Sequence, residues 1–268
     1  MRVEFDESQN NGSRRKKKKN SFRFHIVAFL MMVALSAVIA LCLTIWFHID
    51  RIEVVGDSVY YYEEIVAASG VKLDGNLFRV NKGYAVENIK KSLPYIADVK
   101  VQLRLPATVR ISITPAVEYA YISQNVGALI VDENMKVLKE FSEPKGGLHL
   151  KGVSVSAYSV GEQLQFGNAE QSRALQELLV AVQNIGLNSG EFTVTMADVS
   201  DVLDLKFVLN DMYYVKVGSL NHLDKKLVHL KTMFAYIDKN KSGIINLADW
   251  TEENDRATFK FANIDEFK

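Results

Sequence analysis

The chain has 268 residues with 32 basic and 32 acidic side chains, so its net charge is zero. A single cysteine excludes an intrachain disulfide, and the 48% of hydrophobic residues must build any core unaided. The balance hides an asymmetry: residues 1–25 carry 8 basic and 3 acidic groups, leaving 24 basic and 29 acidic groups beyond them. That surplus of acid gives the body of the chain no general basic face for a polyanion.

The first 20 residues are polar and charged and read as a disordered tail. From Ile26 to Phe47 there follow 22 residues without a charge, the only polar ones being Ser36 and Thr44. As helix they would extend about 33 Å, enough to cross a hydrocarbon core of about 30 Å. The run is longer than a signal-peptide core and leaves through Trp46, Phe47, His48, Ile49 and Asp50, a poor cleavage site. It therefore predicts an uncleaved anchor. Arg14, Arg15, Lys16, Lys17, Lys18, Lys19 and Arg23 lie just before it and place the N-terminus in the cytoplasm. Beside a span, topology and anionic lipid explain this basic run better than nucleic acid does. An exported region of over 200 residues without paired cysteines points to a bacterial surface.

Strand alternation begins at once, with Ile52 and Val54 on one face and Gly56 closing the strand. A short helix is predicted over 61–68, ended by Gly70, and Leu77-Phe78 is an apolar pair in the connection. A second helix is predicted over 83–93, with Val86, Ile89 and Leu93 at helical spacing and Pro94 as its stop. Two strands follow: Val99, Val101, Leu103 and Leu105 alternate with polar residues, then Val109, Ile111 and Ile113 do, with Pro106 in the turn and Pro115 at the end. The β-α-α-β-β order suits a three-stranded sheet with two helices on one face and water on the other.

Beyond residue 117 the pattern is mixed. Strands are expected at 128–131, 135–138, 192–196, 203–209, 213–217 and 244–247, and the tail Thr258-Phe259-Lys260-Phe261 could add one more. A helix over 168–185 shows Leu175, Leu178, Leu179, Val182 and Ile185 on one side. A last helix starts near Asn221, with Asp224 three residues on as in a capping box, and its apolar stripe runs from Leu220 to Ile237.

Taken in order, the basic tail, the span and "IDRIEVVGDSVYYYEEIVAASGVKLDGNLFRVN" resemble the FtsQ/DivIB family of bacterial cell-division proteins. Gly56, Gly70, Leu77-Phe78 and "LPYIADVKVQLRLPATVRISITP" with its Pro106 match the family's POTRA domain. "LIVDENMKVLKE", "LHLKGV" and "HLDKKLVHLKTMF" leading to "GIINL" match its β-domain. The resemblance implies an α+β fold. Its parts would be a cytoplasmic tail 1–24, a transmembrane helix 25–48, a POTRA domain 49–116, a larger mixed β-domain 117–250 with flanking helices, and a C-terminal strand or tail 251–268. It also implies a non-enzymatic scaffold at the division septum. Such a scaffold joins FtsL-type and FtsB/DivIC-type bitopic partners and helps recruit septal wall synthases. The expected mechanism is strand addition at the C-terminal edge of the β-domain. The matching positions are Trp250 and then Thr258, Phe259, Lys260 and Phe261, although Glu252, Glu253, Asp255 and Arg256 make this end more charged and irregular than the family pattern. Phe259 and Phe261 could equally face the domain's own core.

Chemistry is sparse. Asp238 to Asp249 places oxygen groups and Gly243 close to an EF-hand pattern, but the twelfth position is Asp and no convincing helix follows, so a polar turn into a strand is the simpler reading. His222 and His229 lie seven apart, too far to ligate one metal without other ligands. No phosphate-binding glycine loop, nucleophile elbow or zincin motif is present. No catalytic residue, cofactor, metal, nucleic acid or small-molecule substrate is expected. The alternatives are a POTRA-type accessory in protein transport or envelope assembly, which would need tandem domains or a barrel, and an anchored wall-modifying enzyme.

Overall fold

A computed structural model describes residues 18–141, 146–187, 190–238, 241–251, 253–254 and 256–264, with the side chains of 18–22 and 40–46 excepted. The basic tail up to Lys17, Lys239 and Asn240 of the calcium-like stretch, and Glu252 and Asp255 of the charged C-terminal end lie outside the described residues. Helix α1 runs Lys18–Trp46 and contains the uncharged stretch from Ile26 as far as Trp46. The side chains of α1 are described only over residues 23–39, and among the described residues no helix is long and apolar enough to cross a membrane.

The first folded unit follows the expected order. Strand β1 (Arg51–Val55) leads to α2 (Tyr62–Ser69), α3 (Lys82–Ser92), β2 (Ile96–Arg104) and β3 (Thr108–Pro115). The sheet order is β1-β3-β2, with β1 parallel and β2 antiparallel to β3. The parallel pairing is possible because two helices intervene between β1 and β3. One face packs Ile52, Val99, Val101, Val109, Ile111 and Ile113 against Ile65 of α2 and Ala85 and Ile89 of α3. On the other face Arg110 reaches Glu53 at 2.8 Å and holds its carboxyl below the usual carboxylate range. Gly56 has φ +121°, and a Cβ there would run into the carbonyl of Ile113, so this turn needs glycine. Gly70 ends α2 in the left-handed conformation, with its N–H donating to Ala67 O at 3.2 Å. Pro106 lies in the β2–β3 turn after a cis peptide bond.

The second unit is a nine-stranded mixed sheet. Its strands are β4 (Ala120–Ser123), β5 (Ala128–Val131), β6 (Val137–Phe141), β7 (Leu148–Lys151), β10 (Val194–Asp198), β11 (Leu205–Leu209), β12 (Tyr213–Gly218), β13 (Gly243–Asn246) and β14 (Thr258–Phe261). Their order is β14-β13-β12-β11-β10-β7-β4-β5-β6. The parallel pairs β4–β7, β7–β10 and β12–β13 make it mixed. A separate two-stranded ribbon joins β8 (Val155–Ala157) and β9 (Gln165–Phe166). Helices α4 (Ala169–Ile185) and α5 (Leu223–Met233) lay Leu175, Leu178, Val182, Leu227 and Leu230 on one face, around Phe207, Val215 and Ile245. Asn168 caps α4 by accepting the N–H groups of Glu170 and Gln171.

Three local expectations give way. Helix α5 has no capping box: His222 occupies its N-cap in the left-handed conformation with no side-chain cap bond. The strand expected from Met135 starts at Val137, because Met135 takes φ +59° in a turn closed by its N–H to Asp132 O. Leu203 stands exposed in the turn before β11, whose alternation starts at Leu205.

The two units meet through polar contacts. Lys136, a residue only 8% exposed, donates from its ammonium to the Ile96 carbonyl at 2.9 Å. Lys91 of α3 pairs with Glu162 at 2.6 Å. The Tyr95 hydroxyl donates to Glu118 at 2.7 Å, and Lys139 reaches the same carboxylate at 2.8 Å.

A candidate partner-docking edge

Any open sheet ends in two edge strands whose outer N–H and C=O groups lack a neighbour. In the nine-stranded sheet these are β6 and β14. The entry to β6, at Met135 to Val137, is covered by the chain's own segment 161–164. Val137 N–H donates to Glu162 O at 2.9 Å, Gly161 N–H to Val137 O at 2.8 Å, and Leu164 N–H to Met135 O at 2.8 Å. Nothing among the described residues covers β14 in this way.

Strand β13 determines which groups of β14 face outward. Gly243 N–H donates to Met212 O and Leu247 N–H to Lys216 O, so the odd residues of β13 bond towards β12. Ile244 and Asn246 therefore bond towards β14, where they oppose Lys260 and Thr258. Ala262 N–H continues this ladder to Ser242 O. The main-chain groups of Phe259 and Phe261 consequently point to the open side.

The edge is pinned at both ends. On the helix side Phe259 lies partly buried, its ring 6.4 Å from Tyr213 and 5.0 Å from Phe261. It packs directly over Gly243, where an added Cβ would meet the Phe259 ring at 2.6 Å. On the opposite face Ile264, buried, packs with Met196, Val208, Tyr214 and Ile244. Between these two anchors the Phe261 ring is 59% exposed, with Lys241 Nζ 5.0 Å from its centroid.

The structure thus separates the residues that the sequence grouped together. Phe259 serves the core in part, Phe261 faces solvent, and Thr258 and Lys260 are exposed and alternate to the other face. Trp250 is buried after β13, its ring 5.9 Å from His229 of α5. Ile264 was not singled out by sequence reasoning. Its signal was a lone apolar residue in a polar tail, which periodicity cannot detect.

The described residues of the calcium-like stretch, 238 and 241–249, do not close around a point. The Ser242 hydroxyl donates to Ala262 O at 2.9 Å, and Asn246 Oδ1 accepts the N–H of Ala248 at 3.0 Å. Residues 243–246 are extended in β13 instead of wrapping. Among the described residues no three His, Cys, Asp or Glu side chains are grouped to hold a metal.

Comparison with known proteins agrees with this layout. Residues 47–114 match the family model for the POTRA domain, FtsQ-type. The chain is 29% identical over 215 residues to the cell division protein DivIB of Clostridium botulinum (strain Hall), covering 79% of this chain and 81% of that one. It is 28% identical to DivIB of Clostridium acetobutylicum over 193 residues, covering 70% of this chain and 74% of the relative. It is 23% identical over 214 residues to the cell division protein FtsQ of Corynebacterium glutamicum, covering 78% of this chain and 90% of the relative. A matching first unit, a β-sheet body behind it and alignments covering up to 79% of the chain support the FtsQ/DivIB family of bacterial cell-division proteins as the one this chain resembles.

Proposed function

We propose that the chain is a non-enzymatic scaffold of the division septum. It would be held in the membrane by α1 and would receive a strand from an FtsB/DivIC-type bitopic partner on the outer edge of β14. Through that partner it would join an FtsL-type protein and bring in septal wall synthases. The role in division is supported by relatives named as cell-division proteins. The mechanism rests on one observation, the open β14 edge with the main-chain groups of Phe259 and Phe261 turned outward. Two outward residues offer two donors and two acceptors, and the exposed Phe261 ring offers apolar cover to an incoming side chain. The anchor is supported by α1 itself: Ile26, Phe29, Leu30, Met31, Met32 and Leu35 are exposed with no protein cover, a stripe that water would not tolerate for long.

Amide hydrogen exchange tests the mechanism. Addition of a purified FtsB/DivIC-type partner should slow exchange at Phe259 and Phe261, leaving Val126 in the β4–β5 turn unaffected. Unchanged exchange at both phenylalanines under saturating partner would refute strand addition. Imaging of a functional N-terminal fluorescent fusion tests the role: a mid-cell band before constriction is expected, and a uniform membrane signal throughout the cell cycle would refute it.

A further inference from the structure

The segment that follows α2 is tied to the residues that follow α1. Leu77 N–H donates to Phe47 O at 2.9 Å, Ile49 N–H to Gly75 O at 2.9 Å, and Asp74 N–H to Ile49 O at 3.0 Å. His48 and Asn76 form a bridge, and the rings of Phe47 and Phe78 meet edge to face at 5.0 Å. Since Phe47 is the residue next to the end of α1, residues 72–84 cannot lie far from wherever that helix ends.

This segment is apolar and basic on its outer surface. Leu73 is 57%, Phe78 54% and Tyr84 57% exposed. Lys72, Arg79 and Lys82 are exposed among them, against the single acid Asp74. Lys72, Arg79 and Tyr84 share, with Asn76 and Asn81, the rim of a hollow of about 310 Å³. Exposed aromatic and aliphatic side chains among cations are the composition of surfaces that settle at a headgroup–acyl boundary, and anionic headgroups attract such cations within a Debye length.

We infer that residues 72–84 form a membrane-docking face. Leu73 and Phe78 sit in the boundary of the leaflet from which α1 emerges, and Lys72, Arg79 and Lys82 meet the phosphates of anionic phospholipids. The inference rests on the reading of α1 as a membrane span. It adds a second hold on the bilayer, which would fix the tilt of the first folded unit instead of leaving it to swing from Phe47.

Spin labels on the full chain, reconstituted in vesicles of phosphatidylcholine and phosphatidylglycerol, test it. In a Cys42→Ser background, Leu73→Cys and Phe78→Cys report on the face, Ser36→Cys on the span and Val126→Cys on open water. The readout is the ratio of oxygen to nickel-chelate accessibility, which rises with depth in the bilayer. A higher ratio at residues 73 and 78 than at 126 is expected. Ratios equal to that at 126, with residue 36 deep, overturn the docking face and leave the span standing. A water-like ratio at residue 36 overturns the span and the docking face together. The triple variant Lys72→Glu, Arg79→Glu and Lys82→Glu should lower the ratio at residue 73 in these vesicles, leaving it unchanged in pure phosphatidylcholine. No response in the anionic vesicles overturns the headgroup contact.

Discussion

Replacement of Lys136 by Met probes the joint between the two folded units. Ile96 is fully buried in β2, an edge strand of the first sheet, and because Ala116 N–H bonds to the preceding Tyr95 carbonyl the Ile96 carbonyl faces away from β3. Lys136 supplies a donor to that carbonyl from the second unit, at 2.9 Å. Methionine keeps the apolar stem but leaves the carbonyl unsatisfied, which costs about 1–3 kcal/mol; part is returned because no ammonium is then buried. The expected loss is about 1–2 kcal/mol at neutral pH, read by equilibrium urea unfolding of the detergent-solubilised chain. The pH dependence gives a sharper signature. Burial pushes the Lys136 ammonium below its ordinary value of 10.5, with Asp132 pulling the other way. Between the folded value and 10.5 the unfolded chain binds more protons at this residue, so stability rises with pH across that window. The gap between wild type and Lys136→Met should therefore widen as pH climbs towards 10.5. A loss under about 0.5 kcal/mol, or a gap that does not change with pH, would refute the account.

Three further outcomes follow from the same geometry. Phe261→Pro removes one outward donor from β14 without touching a bond to β13, and should weaken partner binding about three- to tenfold beyond the effect of Phe261→Ala; equal effects in a binding titration would mean that the ring alone matters. Gly56→Ala should cost about 1–3 kcal/mol and lower the melting temperature of the first unit by roughly 5–20 °C in calorimetry. Glu118 is held below its ordinary 4.5 by the Lys139 ammonium and then by the Tyr95 hydroxyl. Its contribution is present above that ordinary value and lost as pH falls through the lower folded one, so acidification should loosen the joint. Spin-label distances between the units, compared with those in Glu118→Gln, would check this.

The first unit was legible because its signals are local. Val99 to Ile113 alternates with period two, Gly56 and Gly70 mark chain reversals, and the order of elements leaves few sheets to build. The identities of β5, β11 and β12 were legible for the same reason. Their partners were not: that β12 lies parallel to β13, or that β7 sits between β4 and β10, depends on contacts across tens of residues that no period records. The capping box at α5 failed because Asn221 and Asp224 fit a motif whose backbone is instead set by His222 in the left-handed region. At the candidate site the strand itself could be read from Thr258 to Phe261. The division of labour between Phe259 and Phe261 could not, since it depends on Gly243 beneath one ring and on Ile264 holding the strand from the far side.

The partial cover at the entry to β6 makes the two margins of the nine-stranded sheet unequal. Segment 161–164 is bonded where β6 begins, and among the described residues nothing comparable lies along β14, so an incoming strand meets the least obstruction there. Under the strand-addition mechanism proposed above, β14 would be filled first, so partner binding to this sheet would saturate at one strand per chain before β6 is engaged.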